Sequence, residues 1–245
     1  MHWTTQQINQ HREAAQRLVK IKTIVFQLLR KQPTISEYDA VQFVLEQYKK
    51  HNLKTDHHPP IVAFRQNTAH VHYFPSQHCL RLQPNSLILL DIWARFNRPG
   101  APFADITWMG YKGQRIPIAL TKMFALVVRA RNQSLVLLRD QSRYGTLPSG
   151  QRVDQAARQV IVQAHYAKNF PHSTGHALGT TSPHGSPGRI STKNPSPLHR
   201  RLGYTIEPGV YLPNKFGIRS EINFYIDTKG KIVISTAVQK SLTKI

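Results

Sequence analysis

Four carboxylates of this chain lie in or beside apolar, strand-like runs, where an ionised side chain would lose its contact with water. They are Asp91, Asp105, Glu207 and Glu221. A lone buried carboxylate costs on the order of several kcal/mol. Acids are also scarce, with 12 Asp and Glu against 33 Lys and Arg. Each of these four acids is therefore expected to meet a positively charged partner.

Two kinds of partner would satisfy these acids. The first is a set of buried ion pairs, since Arg219 lies two positions before Glu221 and basic residues are abundant. The second is a metal centre, because carboxylate oxygens that converge with a histidine suit divalent ions, and such sites can hold two ions about 3.5 to 4 Å apart. The acids by themselves leave both interpretations open.

Three histidines favour the metal interpretation. The stretch HSTGHALGTTSPHG contains His172, His176 and His184 close to Gly175 and Gly179, which allow close approach of the backbone. A single histidine in a loop is usually a solvated or hydrogen-bonded side chain. Three of them in this setting are more typical of a site that binds a metal ion.

Hydrophobic periodicity predicts the elements that position these residues. Apolar spacings of three and four predict helices over residues 12–31, 34–52, 118–138 and 153–169. Ser36 is the expected N-cap of the second helix, with Asp39 completing a capping box, and Pro117 opens the third. Short β-branched and aromatic runs predict strands over 59–64, 86–96, 203–212, 216–226 and 231–238. Residues 180–201 predict a long polar loop, and the order of elements is typical of an α+β fold.

Composition restricts the class of protein. The chain has 245 residues and a formal charge of +21, and 40% of its residues are hydrophobic, enough for one large domain. No apolar run is long enough to span a membrane, and the N-terminus does not resemble a signal peptide. Cys79 is the only cysteine, which excludes an intrachain disulfide and a thiolate-rich metal site. These features predict a soluble cytoplasmic protein.

The motifs LLDIWARFNRPGAPFADITW, HSTGHALG, TIEPGVYL and FGIRSEI occur in this order and together resemble those of the pita-bread metallopeptidases. That group, the M24 type, includes Xaa-Pro aminopeptidases, prolidases and methionine aminopeptidases, and this sequence looks most like the proline-specific branch. The resemblance implies an α+β pita-bread fold in which helices cover a curved antiparallel sheet. It implies a single catalytic domain over 1–245, with 1–9 as a flexible N-terminus.

The same resemblance implies a role for each candidate residue. Asp91 would bind the first of two divalent ions, Asp105 and Glu221 would bridge both, and His176 and Glu207 would complete the second. Manganese is the expected metal, with cobalt, zinc or iron as alternatives. The ions would lower the pKa of a water held between them. His72 and His184 would contact the substrate and stabilise the tetrahedral intermediate. Glu207 would also act as the proton carrier, and His172 would line the pocket.

Three departures from the family pattern bear on these roles. Asp105 follows Asp91 by 14 positions, a longer spacing that predicts a bulging loop between them. His184 follows His176 by 8 positions, one more than usual, so its direction is open. Trp108 stands where many relatives have arginine. In addition, His70 and His78 lie close enough to His72 to compete for its role.

The resemblance predicts a dinuclear metal-dependent exopeptidase that cleaves the bond between an N-terminal residue and a following proline, either as an aminopeptidase or as a dipeptidase. One alternative is an activity like that of a methionine aminopeptidase. Another is a non-catalytic pita-bread module that binds RNA or the ribosome through its basic surface, although no basic, aromatic-rich nucleic-acid motif supports it. The expected partner is a peptide substrate, and the sequence leaves the oligomeric state open.

Overall fold

The computed structural model describes residues 2–245. Within them the chain forms four α-helices: α1 Thr5–Lys31, α2 Glu37–Lys50, α3 Ile118–Arg143 and α4 Gly150–Gln163. It also forms twelve strands: β1 Leu53–Lys54, β2 Ile61–Phe64, β3 Ser86–Phe96, β4 Ala104–Lys112, β5 Gly175–Leu178, β6 His184–Ile190, β7 Leu202–Ile206, β8 Gly209–Leu212, β9 Phe216–Arg219, β10 Ile222–Ile226, β11 Ile232–Ile234 and β12 Thr243–Lys244. This mixture of helices and mainly antiparallel strands confirms the α+β prediction.

Two five-stranded sheets make up most of the β-structure. The first has the order β1-β3-β4-β12, with β2 also paired to β3, and the second has the order β11-β10-β7-β5-β6. A separate hairpin joins β8 to β9. All pairs are antiparallel except β12 with β4. The sheets meet where the backbone N–H of Asp105 on β4 donates to Asn223 Oδ1 on β10, at 2.7 Å.

The four predicted helices are confirmed. Ser36 caps α2, because its hydroxyl accepts from the backbone N–H of Asp39 at 3.0 Å. The expected capping box is incomplete, since the Asp39 carboxylate accepts a hydrogen bond from the Ser36 hydroxyl instead of the Ser36 backbone N–H. Pro117 immediately precedes α3, as expected for a residue with a fixed φ angle and no N–H to lose.

The strand predictions agree best where a run is buried on both faces. The predicted strand 86–96 has the same limits as β3, which is buried at all but one position. The sequence analysis predicts no strand at the positions of β4 and β5, which the structure shows. The predicted loop 180–201 contains β6, and the loop prediction is wrong there because β6 pairs along β5 in spite of its Ser, Pro and Gly content.

The N-terminal segment packs against the rest of the chain. The prediction of flexibility covers residues 1–9, of which Met1 lies outside the described residues. Trp3 is buried, its backbone N–H donates to the Arg201 carbonyl, and Thr4 caps α1 through a complete capping box with Gln7. This geometry does not fit a loose N-terminus, because leaving the fold would expose a large indole.

Helices cover the sheets through three hydrophobic clusters. α1 and α2 bury one face of β3 and β4, whereas residues of α3 and α4 contribute to the cluster on the other face. A third cluster lies between the second sheet, α4 and the C-terminal half of α3. Across residues 2–245, no helix has both the length and the apolar character needed to span a membrane.

Candidate metal centre

Three buried carboxylates meet where the two sheets join. Asp91 lies on β3, Asp105 on the neighbouring strand β4, and Glu221 in the short connection before β10. Each offers an oxygen, and these oxygens all lie within 4.8 Å of one another. The relative exposures of the three residues are 7%, 6% and 2%. Like charges are therefore concentrated here in a region with little access to water.

Thr107 and Arg219 organise one side of this cluster. The Thr107 hydroxyl oxygen lies 3.1 Å from Asp91 Oδ1 and 2.8 Å from Glu221 Oε2, and it accepts a hydrogen bond from Arg219 Nε at 3.0 Å. Arg219 also forms a buried ion pair with the second oxygen of Asp91. The ion-pair interpretation therefore holds for Asp91, and Arg219 pairs with it instead of with the nearby Glu221.

Asp105 and Glu221 have no comparable partner. Among the described residues, Asp105 Oδ1 and Glu221 Oε1 are buried and accept no hydrogen bond. Burial raises the pKa of both carboxyls well above its usual range, and the neighbouring carboxylates raise it further. Two buried oxygens without donors, beside a third carboxylate, are the environment that a divalent cation would satisfy.

His176 and Glu207 face this cluster from the second sheet. His176 Nδ1 donates to the Ala177 carbonyl oxygen at 2.9 Å, so Nε2 is directed towards Glu207 Oε1 at 3.2 Å and Asp105 Oδ2 at 4.0 Å. Because Nε2 and both oxygens are electron-rich, a proton or a metal ion is needed between them. A histidine whose other nitrogen is held by a carbonyl is typical of metal ligands.

Glu207 itself is held in an ionised form. Burial alone would raise the pKa of Glu207, but its hydrogen bond to His176 and the nearby positive charge of Arg219 lower that pKa to about 2. The Thr205 hydroxyl donates to Glu207 Oε1 at 2.9 Å, and the Glu207 backbone N–H donates to the Thr174 carbonyl at 2.7 Å. The carboxylate is therefore fixed in place and charged at neutral pH.

The backbone around His176 depends on glycine. A Cβ atom on Gly175 would lie 2.2 Å from the Thr205 carbonyl oxygen, and one on Gly179 would lie 2.4 Å from the Ser182 carbonyl oxygen. These distances confirm that the two glycines permit close backbone approach. Gly175 lets β5 pack beside β7, which brings His176 close to Glu207, whereas Gly179 permits the close approach between the end of β5 and the start of β6.

Two of the departures from the family pattern have a structural explanation. The extra residues between Asp91 and Asp105 form a turn outside the β3–β4 ladder, in which Trp93 pairs with Asp105 and Asp91 pairs with Thr107. The pairing of β5 with β6 shifts register just after His176. This irregularity accommodates the longer spacing and places the ring of His184 4.3 Å from that of His176.

Trp108 is directed away from the site. Its indole N–H donates to Thr243 Oγ1 at 2.8 Å, and Lys22 Nζ lies 4.1 Å from the centre of its ring. The side chain therefore ties β4 to the C-terminal strand and to α1. It does not replace an arginine of the metal centre.

The remaining predicted histidines line two adjoining cavities. His72 and His184 line both a cavity of about 280 Å³ that contains Asp91 and Asp105 and a wider cleft of about 1020 Å³. His172 lines only the wider cleft, where its ring nitrogens contact the Ser173 carbonyl at 2.8 Å and the Tyr211 hydroxyl at 3.0 Å. His70 and His78, the competitors of His72, line neither cavity.

The cavities also contain residues to which the sequence analysis assigns no role. Asp56, His57 and His58 line the smaller cavity with Trp93 and Phe74. Arg158, Arg189 and Lys193 line the wider cleft. The chain has 33 Lys and Arg, so the sequence alone could not distinguish these three basic residues from the others. The position of Thr107 two residues after Asp105 was a signal, since alternate residues of a strand share one face.

Comparison with known proteins supports the assignment of this region. The family model described as "Metallopeptidase family M24" matches residues 9–228. A Mycoplasma pneumoniae protein named "Putative Xaa-Pro aminopeptidase" is 26% identical over 223 residues, covering 91% of this chain and 58% of that protein. The chain spans about half the length of the curated relatives it matches.

Solved structures share the fold at low sequence identity. The X-Pro aminopeptidase of Thermotoga maritima has a TM-score of 0.86 at 24% identity, covering 100% of this chain and 64% of that chain. An X-prolyl aminopeptidase of Caenorhabditis elegans, described as a cytosolic enzyme with a di-nuclear active site, has a TM-score of 0.78 at 21% identity, covering 97% and 40% of the respective chains. These similarities confirm the pita-bread fold.

Proposed function

The chain belongs to metallopeptidase family M24, and on that premise we propose that it hydrolyses the peptide bond between an N-terminal residue and a following proline, with two divalent ions as cofactors. The observation that carries this proposal is the buried cluster in which Asp105 and Glu221 each keep an oxygen without a donor while His176 and Glu207 face them. Bound cations would balance the charge of these carboxylates, which lie close together in a buried volume.

Five residues would hold the two ions: Asp91, Asp105, His176, Glu207 and Glu221. Their donor set of four carboxylates and one imidazole favours manganese, since oxygen-rich sites suit hard divalent ions. When bound, such ions polarise the substrate carbonyl and lower the pKa of the attacking water. Support for two ions comes from the number of carboxylates and from the di-nuclear site described for the Caenorhabditis elegans protein.

Glu207 is the group best placed to accept a proton from water. It is ionised, it lines both cavities, and its carboxylate is held by Thr205. The C–N bond breaks as the leaving amine receives a proton, and a carboxyl group at this position can deliver the one it has accepted. Glu207 would therefore both accept the proton from water and donate it to the leaving amine.

His184 and His72 would contact the substrate. Burial is the main cause that lowers the pKa of His184 to about 4. At neutral pH its imidazole is therefore uncharged and can donate one hydrogen bond to an oxygen on which negative charge develops. His172 would line the substrate pocket. It would also hold Tyr211 in place, because its Nε2 lies 3.0 Å from the Tyr211 hydroxyl.

The cavities support a short peptide substrate. Ile61, Phe74 and Trp93 form an apolar part of the smaller cavity that would accept an N-terminal side chain. Arg189 and Lys193 line the wider cleft, where they would attract the carboxylate at the C-terminus of a dipeptide or tripeptide. Specificity for proline is proposed from the resemblance and from the name of the Mycoplasma relative.

The test is hydrolysis of matched peptides by the manganese-loaded protein. Ala-Pro and Ala-Pro-Ala should be cleaved faster than Ala-Ala and Met-Ala-Ser, and Glu221→Ala should abolish turnover. Glu46→Ala is the matched control, since Glu46 is an exposed carboxylate on α2 outside both cavities. Failure to cleave any of these peptides with manganese, cobalt, zinc or iron would overturn the proposal.

A further inference from the structure

A second group of metal-ligating side chains lies in the smaller cavity, apart from the five residues of the M24 centre. Asp56, His57 and His58 each offer one ligand atom, and these atoms all lie within 4.8 Å of one another. The three residues precede β2 and line the cavity that also contains Asp91 and Asp105. No residue is shared between the two groups.

Asp56 is a half-buried residue whose carboxylate is held in place. The exposed fraction of its side chain is 6%, Trp93 Nε1 donates to its Oδ1 at 2.9 Å, and the His58 backbone N–H donates to the same oxygen at 3.2 Å. Its second oxygen, Oδ2, lies 3.5 Å from His58 Nδ1, longer than an ordinary hydrogen bond. One carboxylate oxygen is therefore held by the protein, and the other is directed towards the histidine rings.

The rings of His57 and His58 both lie near the Asp56 carboxylate. The rings of His57 and His58 lie with their centroids 3.8 Å apart, and His58 stacks on Phe74 at 5.6 Å. A turn stabilised by Asp56 and an ion pair to His58 would explain two of the three residues. It leaves unexplained why the ring of His57, an exposed residue, packs against that of His58.

We propose that Asp56, His57 and His58 bind one Zn²⁺ ion at the mouth of the active-site cavity. Two imidazoles and a carboxylate are a donor set that zinc accepts, with the fourth position left for water or another ligand. Bond lengths of about 2.0 to 2.2 Å in a tetrahedron put donors roughly 3.4 Å apart. Small rotations of the two exposed histidines would reach that spacing.

Trp93 orients the Asp56 carboxylate. It lies on β3 two positions after Asp91, and its indole N–H holds Asp56 Oδ1, as outer hydrogen bonds commonly orient carboxylate ligands. The orienting bond comes from a rigid strand that is buried at nearly every position. The Asp56 carboxylate therefore needs no reordering to receive an ion.

A zinc ion at this position would restrict access to the cavity. Because Asp56, His57 and His58 line the smaller cavity, an ion held by them would narrow the space that we assign to the N-terminal residue of the substrate, so zinc should raise KM for peptides. This consequence depends on the proposed peptidase function, whereas the binding of zinc does not. The two claims can therefore fail separately.

Zinc stoichiometry tests the binding. Tag-free protein is stripped with chelator, titrated with zinc sulfate and analysed for bound metal after dialysis. The double variant His57→Gln/His58→Gln should bind one zinc per chain fewer than the wild type. The control His70→Gln/His78→Gln removes two exposed histidines from outside both cavities and should bind as many as the wild type.

Two further variants separate the possible outcomes. Asp56→Asn can still accept from the Trp93 indole, and it should weaken zinc binding at this site about tenfold or more. Glu221→Ala should keep the one zinc that the double variant loses, even if the protein proves to have no peptidase activity. Equal zinc content in the wild type and the His57→Gln/His58→Gln variant would overturn the inference.

Discussion

Thr107 lies directly opposite Asp91 in the β3–β4 ladder, and its hydroxyl oxygen is 3.1 Å from Asp91 Oδ1. The same oxygen lies 2.8 Å from Glu221 Oε2 and accepts a hydrogen bond from Arg219. One neutral side chain therefore connects two proposed metal ligands to the cation that pairs with one of them. This connection gives Thr107 a positioning role.

Thr107→Val should weaken manganese binding about 10- to 100-fold, as is usual when an outer hydrogen bond to a metal ligand is lost. Valine has a similar shape but offers neither a donor nor an acceptor to Asp91 and Glu221. Thr107→Ser keeps the hydroxyl and should bind manganese with nearly wild-type affinity. Calorimetric titration of the chelator-treated proteins measures both variants. Equal affinities for valine and threonine at this position would contradict the positioning role.

Asp105→Asn should stabilise the metal-free protein while abolishing tight metal binding. The pKa of Asp105 is raised in the folded state by burial and by the carboxylates of Glu221 and Asp91, so folding must keep an unfavourable charge or a proton at neutral pH. Removing that charge should add on the order of 1 kcal/mol or more to the free energy of unfolding. Urea denaturation in the presence of chelator measures this change. A less stable asparagine variant would show that the carboxylate has a partner.

In the metal-free protein, Asp105 and Glu221 should each contribute a free energy of unfolding that falls as the pH rises above about 4. A carboxyl whose pKa is higher in the folded than in the unfolded state binds more protons when folded, so the free energy of unfolding decreases with pH from the unfolded pKa upwards. Asp105 and Glu221 both have raised pKa values. Urea unfolding from pH 4 to 7 should show Asp105→Asn gaining stability relative to the wild type as the pH rises. The opposing contributions of His11, His172 and His184, whose pKa values burial lowers to about 4, are common to both proteins and cancel in this difference.

Glu37→Gln should loosen the segment that carries His72. The buried Glu37 carboxylate accepts from the backbone N–H groups of Phe64 at 2.6 Å and Leu80 at 2.9 Å, and from the Tyr73 hydroxyl at 2.6 Å. Glutamine has one acceptor fewer and would oppose an N–H to these donors, at a cost of about 1 to 3 kcal/mol.

The expected signature of Glu37→Gln is a lower free energy of unfolding together with a lower kcat/KM for Ala-Pro-Ala. Asp39→Asn is the matched control, since Asp39 is an exposed residue on the same helix and its carboxylate accepts a hydrogen bond from the Ser36 hydroxyl. If kcat/KM were unchanged in a clearly destabilised Glu37→Gln protein, the carboxylate would support the fold without positioning His72.

His184→Ala should lower kcat for Ala-Pro-Ala about 100- to 1000-fold, the usual loss when one donor to a developing oxyanion is removed. Manganese affinity should stay close to that of wild type, because His184 is not one of the five proposed ligands. Steady-state kinetics with a parallel metal titration separates the two effects. If the variant also lost its affinity for manganese, His184 would belong among the metal ligands. The geometry allows this outcome, because the His184 ring lies 4.3 Å from that of His176.

The helices and β3 could be predicted from the sequence because their signals are local. The apolar spacing of α1 to α4 and the buried run of β3 do not depend on distant partners. The missed strand β6 depends on pairing with β5, which its own Ser, Pro and Gly content does not indicate. The same limit applies to the side chain of Trp108, whose position follows from contacts with Lys22 and Thr243 at opposite ends of the chain.

The sequence by itself determined the chemistry available to this protein: which carboxylates and histidines it has, and that several acids lie in apolar runs where they need a cation. Only the tertiary structure decided which of these side chains contact one another. It paired Arg219 with Asp91, left Asp105 and Glu221 each with a buried oxygen that accepts no hydrogen bond, and brought the Trp93 indole to the Asp56 carboxylate. The physical reason is that these contacts join residues on different strands and loops, so sheet register and packing set distances that no local pattern contains.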